Sequence, residues 1–465
     1  MATHLSSLLT DLQSQVGPSL EILSRKEDDR FQEFSKRWTD IGRETPAAII
    51  LPESEEQIKQ TVVFTLVDIS GDSRKLIGQL GRFNGQFALP FPLFLEAGDT
   101  ANGLRLAMMA KATLRGSILS KQVAVALANA GFFTALGNGN PVGAIPYFLG
   151  GGASVTTSIT GFGSDQILSA RMIDATGKIV EVTEEKEPEL LWAIRGAGQF
   201  FGLVTELDIR IHPLSELGNA QGAIWVGGFV FPLERAEDVA RAMGPLMDDS
   251  SNATAGLMMI MAPPPARKPC LVIAARFTGD PDNAKDAYKP LYDLGPIVAN
   301  GGPVPIQNTS DAREALAAKG DFKRFGIVGL RRFDVEKFLQ VVEVWKTLVE
   351  ECPDAINTAF NFQWDSRPPK TPGFDSANSL HDIRYWQNNL IWHTNPATRK
   401  RVDELNDKSI DIMRGPNRAE YADFQNGTRT GPIELRFRGE GKVEKLKLLK
   451  KRWDPQGVFT RQLLD

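Results

Sequence analysis

Residues 150–213 read GGGASVTTSITGFGSDQILSARMIDATGKIVEVTEEKEPELLWAIRGAGQFFGLVTELDIRIHP, and how this stretch folds decides the rest. A glycine run opens it. Residues 166–174, rich in Ile, Leu and Met, form a strand, and 174–177 make a turn in which Gly177 can take a positive φ. Residues 179–183 return as a β-branched strand. Pro188 stands at the first position of a helix, where its missing N–H costs nothing, and Gly196 to Gly198 end that helix. Residues 203–212 alternate apolar and polar side chains, a strand with one wet face. Two glycine-rich turns, each leading into ordered structure, can bring backbone N–H groups against a phosphate-bearing ligand.

Upstream of this block, residues 46–51 form a short apolar strand and a helix follows. Ser54 and Gln57 stand at capping-box spacing at its start. Residues 119–130 carry helical periodicity and stop at Gly131, a natural C-terminal glycine. Residues 137–141, GNGNP, are a loop. Between these units, residues 69–111 fit neither a helix nor a strand template. Prolines fall where a central strand needs donors, and glycines are scattered without turn logic.

Downstream, 224–231 and 271–277 read as strands, and 233–247 and 335–351 as amphipathic helices. INTAFNFQW (356–364) and IRYWQNNLIW (383–392) are strands rich in aromatics and amides. Pro-rich loops fall at 262–265 and 367–369. This is an antiparallel sheet backed by helices. A Lys-rich helix starts at Val443 and breaks at Asp454-Pro455.

At 465 residues the chain exceeds one core, and two domains are expected. A net charge of −4, with no basic tract interleaved with aromatics, excludes a nucleic-acid surface. Cys270 and Cys352 lack CxxC spacing, and His4, His212, His381 and His393 lack HExxH spacing, so no metal site is expected. No signal-peptide pattern and no apolar run of spanning length occurs. A cytoplasmic protein that does not enter membranes is expected.

Gly150–Gly152, Gly161, Asp165, LSARMIDATGKIVEV, LLWAIRGAGQFFGLVT and the terminal WDPQGVF (453–459) together resemble the berberine-bridge-enzyme-like FAD-linked oxidoreductases. These are flavoproteins of the p-cresol methylhydroxylase (PCMH) and vanillyl-alcohol oxidase superfamily, and the likeness is to their fungal secondary-metabolism type. It spans about residues 40–68, 112–214 and the last twenty or so. The resemblance implies an α+β fold. A PCMH-type FAD-binding domain would come from both chain ends, and an antiparallel-sheet substrate domain backed by helices from the middle. The expected division is a helical extension at 1–37, an FAD domain at 38–214, a substrate domain at 215–430 and a segment at 431–465 returning to the FAD domain.

The resemblance also implies the site. Gly143, Gly150, Gly151, Gly152, Ser154, Thr157, Gly161, Asp165, Gly198, Gly202 and Val204 would contact FAD; for Asp165, turn capping without direct contact is the alternative. The position where relatives often place a catalytic carboxylate falls on Gln387, which cannot act as a general base. Tyr385, His381, His393 and Tyr421 are the other candidates, and each could instead be packing. The family's tethering Cys position falls on Gly139 and its GGHS loop is missing, so FAD is expected to be held non-covalently. The expected activity is oxidation or dehydrogenation of a small organic molecule in secondary metabolism, with O2 as acceptor. A non-redox isomerase or cyclase on the same scaffold, and a flavin-free vestigial protein, stay open beside it. The family's first phosphate loop should lie within 69–111. A normal length, a wrong pattern and sharp edges there are what a shifted reading frame or a misjudged splice site produces; a diverged flavin loop is the alternative.

Overall fold

The structure, a computed structural model, describes residues 2–43, 45–67, 94–96, 110–416 and 432–459. Two antiparallel sheets dominate it. A five-stranded sheet runs in the order Phe94–Glu96, Lys111–Arg115, Leu203–Arg210, Ile167–Ile173, Ile179–Val182. The helix Pro188–Ala197 buries Leu190, Leu191, Trp192 and Ile194 in the core beneath that sheet. The helix Lys442–Trp453 adds Leu446 and Leu449 to the same core.

A seven-stranded sheet runs in the order Val298–Pro305, Ala223–Pro232, Cys270–Phe277, Thr254–Met261, Phe360–Asp365, Tyr385–His393, Phe322–Leu330. One face is covered by the helices Ala236–Asp248, Val335–Glu351 and Arg399–Arg414. The long helix forms because Asp334 caps it, accepting from the Lys337 N–H. Phe338, Val341, Val342, Trp345 and Leu348 then fall on one stripe at helical spacing.

Strand alternation separates two sets of side chains. Phe360, Phe362, Trp364, Tyr385 and Ile391 enter the helix-backed core. Asn361, Gln363, Asp365, Trp386 and Asn388 therefore face the other way, toward the glycine-bearing half. The helix start read at Ser54 and the helix stop read at Gly131 both hold. Gln57 N–H donates to Ser54 Oγ, and Gly131 stands at φ +87° just past Ser120–Asn129. The strand expected at 356–364 begins only at Phe360, because Pro353–Ala355 forms a helical turn before it. Most of 69–111 lies outside the described residues. Among the described residues, no helix is long and apolar enough to cross a membrane.

Candidate functional site

The segment 366–384, between two strands of the seven-stranded sheet, crosses to the other half and is fastened there along its length. Lys370 N–H donates to Thr157 O, Ala377 N–H to Trp192 O and Asn378 N–H to Arg195 O. Trp192 Nε1 donates to Asp375 at 2.8 Å, and Asn378 Nδ2 to Ser164 Oγ at 3.0 Å. Two glycines make the approach possible. A Cβ on Gly196 (φ +124°) would lie 2.7 Å from Asn378 N, and one on Gly161 (φ +86°) would lie 3.0 Å from Lys370 O.

This strap closes one side of a seam that holds two clefts, which share Val155. The first is an open cleft whose lining mixes Ser120, Thr134, Gly139 and Asn140 with apolar Phe133 and Ile306. The second is likewise an open cleft. Ser154, Thr157, Ser158 and Phe162 form one wall, and Gly256, Arg276, Gln363, Asp365 and Trp386 the other. Asp365 is the one carboxylate on this wall among the described residues. Burial raises its pKa, against a hydrogen bond from Ser158 and the nearby charge of Arg367. Among the described residues no group of His, Cys, Asp and Glu could hold a metal ion.

No family model matches the chain. It is 25% identical over 475 residues to the FAD-linked oxidoreductase hasG of Aspergillus fumigatus, spanning 93% of this chain and 94% of that one. It matches Physcomitrella patens BBE-like 1 with a TM-score of 0.76, at 15% identity, over 99% of both chains. The chain is an FAD-linked oxidoreductase with the fold of BBE-like 1. A third similar protein, the glucooligosaccharide oxidase of Acremonium strictum, has a 6-S-cysteinyl, 8α-N1-histidyl FAD and matches with a TM-score of 0.73 at 18% identity. A glycine-bearing cleft of mixed polar and apolar lining continues at Val155 into one walled by Trp386 and Phe162, so backbone donors and flat aromatic walls, the surroundings that a flavin's tail and ring need, both border the seam of this oxidoreductase.

The candidate residues fall into three groups. Ser154 and Thr157 line the second cleft, with Ser154 N–H donating to Thr157 Oγ1. Gly143 precedes, and Gly150 ends, the short helix Ala144–Leu149, which leads to Gly151 and Gly152. Asp165 and His381 meet: His381 Nε2 lies 3.0 Å from the carboxylate, which also caps the Phe162 N–H at 2.8 Å. Gly198, Gly202 and Val204 pack against protein, with Leu149 and Met172 over the two glycines and Val204 buried in the core.

The structure places the third group behind the sheet. Gln387 is fully buried, its amide donating to Ser409 Oγ at 3.0 Å. Tyr385 bonds to Asp248 and to Met247 O, and its pKa is pushed up to about 12 by burial and then by the Asp248 contact. His393 stacks on Phe322 and meets Asn395 O through Nδ1. Counting back along the strand lands on Gln387, but the seam-facing positions are its neighbours Trp386 and Asn388. Tyr421 lies outside the described residues. The groups missed from sequence are Arg276, Gln363, Asp365 and Trp386. Alternation on 360–365 separates Gln363 and Asp365 from the three aromatics, but it does not say which face the helices cover.

Proposed function

We propose that this FAD-linked oxidoreductase oxidises a small, largely apolar organic molecule of a specialised biosynthetic sequence, with non-covalent FAD and O2 as final acceptor. The observation that carries this reading is the second cleft, where an aromatic wall and a single half-buried carboxyl face the Ser154–Ser158 segment. Gly139, Asn140 and the 154–157 backbone would hold the cofactor. When bound, FAD supplies hydride acceptance from a carbon next to oxygen or nitrogen. Trp386 and Phe162 flank the substrate and limit its access to water. The Asp365 carboxylate takes the proton leaving the substrate's O–H or N–H. A group that must shed its proton near neutral pH works best with a displaced pKa, and burial provides that displacement here.

The test is anaerobic titration of the purified protein with a panel of aryl alcohols and phenols. The expected result is a visible flavin band that bleaches with one panel member and returns, with peroxide release, on admitting air. A colourless preparation, or a band that dithionite bleaches and no panel member does, would overturn the reading.

A further inference from the structure

We propose that the second cleft contains a carboxylate-binding subsite, with Arg276 as its anchor, so that the substrate is an organic acid. This rests on the cleft being the substrate site. Arg276 sits on the strand Cys270–Phe277, which is central in the seven-stranded sheet, and its side chain lines the cleft. It is only 6% exposed. A guanidinium has five N–H donors. One side-chain hydrogen bond is observed, from Nη2 to the neutral Asn138 Oδ1 at 2.9 Å. Among the described residues no carboxylate lies within ion-pair distance of it.

The neighbouring groups do not supply the missing charge. Asp365 lines the same cleft and its charge acts weakly on Arg276, but its carboxylate accepts from the Arg367 N–H and is not within ion-pair distance of Arg276. Arg367 itself donates to Ser158 and Thr278. Arg313 lies near enough to act as a second positive charge on Arg276, and it too has no ion-pair partner among the described residues. Burial, followed by this like charge, drives the Arg276 pKa well down. The cross-strand partners of Arg276 are Val226 and Ala255, too short to fill the space around a guanidinium. A buried cation held beside another, with only a neutral acceptor, is costly unless an anion completes it. A planar carboxylate does so through paired N–H bonds.

Calorimetric titration of the flavin-loaded protein with benzoate and with benzamide tests this, because the two probes share shape and differ in charge. The wild type is expected to bind benzoate at least about tenfold more tightly than benzamide. Arg276→Lys should keep that preference, and Arg276→Gln should lose it. Equal binding of the two probes by the wild type, or a preference that survives in Arg276→Gln, would sink the proposal. So would a wild type that ignores benzoate while Arg276→Gln sheds its FAD, which would give the cation to the cofactor's phosphates. A colourless protein that still prefers benzoate through Arg276 would overturn the oxidase reading and leave the subsite standing.

Discussion

A carboxyl group that is half-buried and still borders a cleft can hold or release a proton in a pH range where an exposed aspartate cannot. Asp365 has that setting. As a base it must be ionised, so activity should climb as pH rises through its raised pKa. That limb lies above the ~4 of an ordinary aspartate. Asp365→Asn should lower kcat by about 10²- to 10⁴-fold and remove the limb. Stability has the opposite sign. With its pKa raised on folding, the group stabilises the native state at low pH, and this contribution is lost as pH rises through the folded value. The melting temperature of Asp365→Asn should therefore improve relative to wild type as pH increases. Profiles of kcat/KM and melting temperature against pH check both, and a variant with an unchanged rate and limb would remove Asp365 from the reaction. Gln387 shows why such a residue was hard to pick from sequence. A strand's two faces differ by one position, and IRYWQNNLIW puts polar and apolar groups on both. Only the contact with Ser409 on the helix Arg399–Arg414 shows which face is closed.

Elements with a strong periodic signal were legible, and those without it were not. The helix at 335–351 has a cap and an apolar stripe, and its observed bounds match. Val298–Pro305, with the sequence VANGGPVP, is an exposed edge strand and has almost no apolar alternation to read. The helix Arg399–Arg414 is so polar that its buried seam of Val402, Leu405, Ile410 and Met413 is diluted. The strap at 366–384 has no periodicity of its own, because the other half holds it through backbone bonds and two glycines. That makes Gly196 a sensitive point. Gly196→Ala would place a methyl group 2.7 Å from Asn378 N in a backbone conformation that alanine resists. The strap should loosen at a cost of about 1–3 kcal/mol. The expected outcome is a lower melting temperature and faster tryptic cleavage at the exposed Lys370. An unchanged digestion pattern would show that the strap does not depend on this seat.

At the scale of the whole molecule, the two halves border the proposed cofactor seam, and among the described residues no cysteine or histidine lines its clefts. The sequence holds two cysteines and four histidines. Cys352 is buried in the helix-backed core; Cys270 is buried at the start of its strand, on the other face of the sheet, and lines neither cleft; burial raises both thiol pKa values. His212 is enclosed between Gln166 and Glu216, and burial lowers its pKa. His381 is held by Asp165, and His393 lies behind the sheet. Gly139, the position expected from the sequence to correspond to a tethering cysteine, lines the first cleft. Attachment needs a deprotonated thiol or a neutral imidazole facing the ring, and none of these side chains lines either cleft. On the proposed non-covalent reading, binding rests on contacts along the seam, and loss of the fold should release the flavin intact. Acid precipitation of the yellow protein should leave all its flavin absorbance in the supernatant and a colourless pellet. Colour in the pellet, or flavin fluorescence on the protein band of a denaturing gel, would mean that a side chain reaches the ring by a route these contacts do not provide.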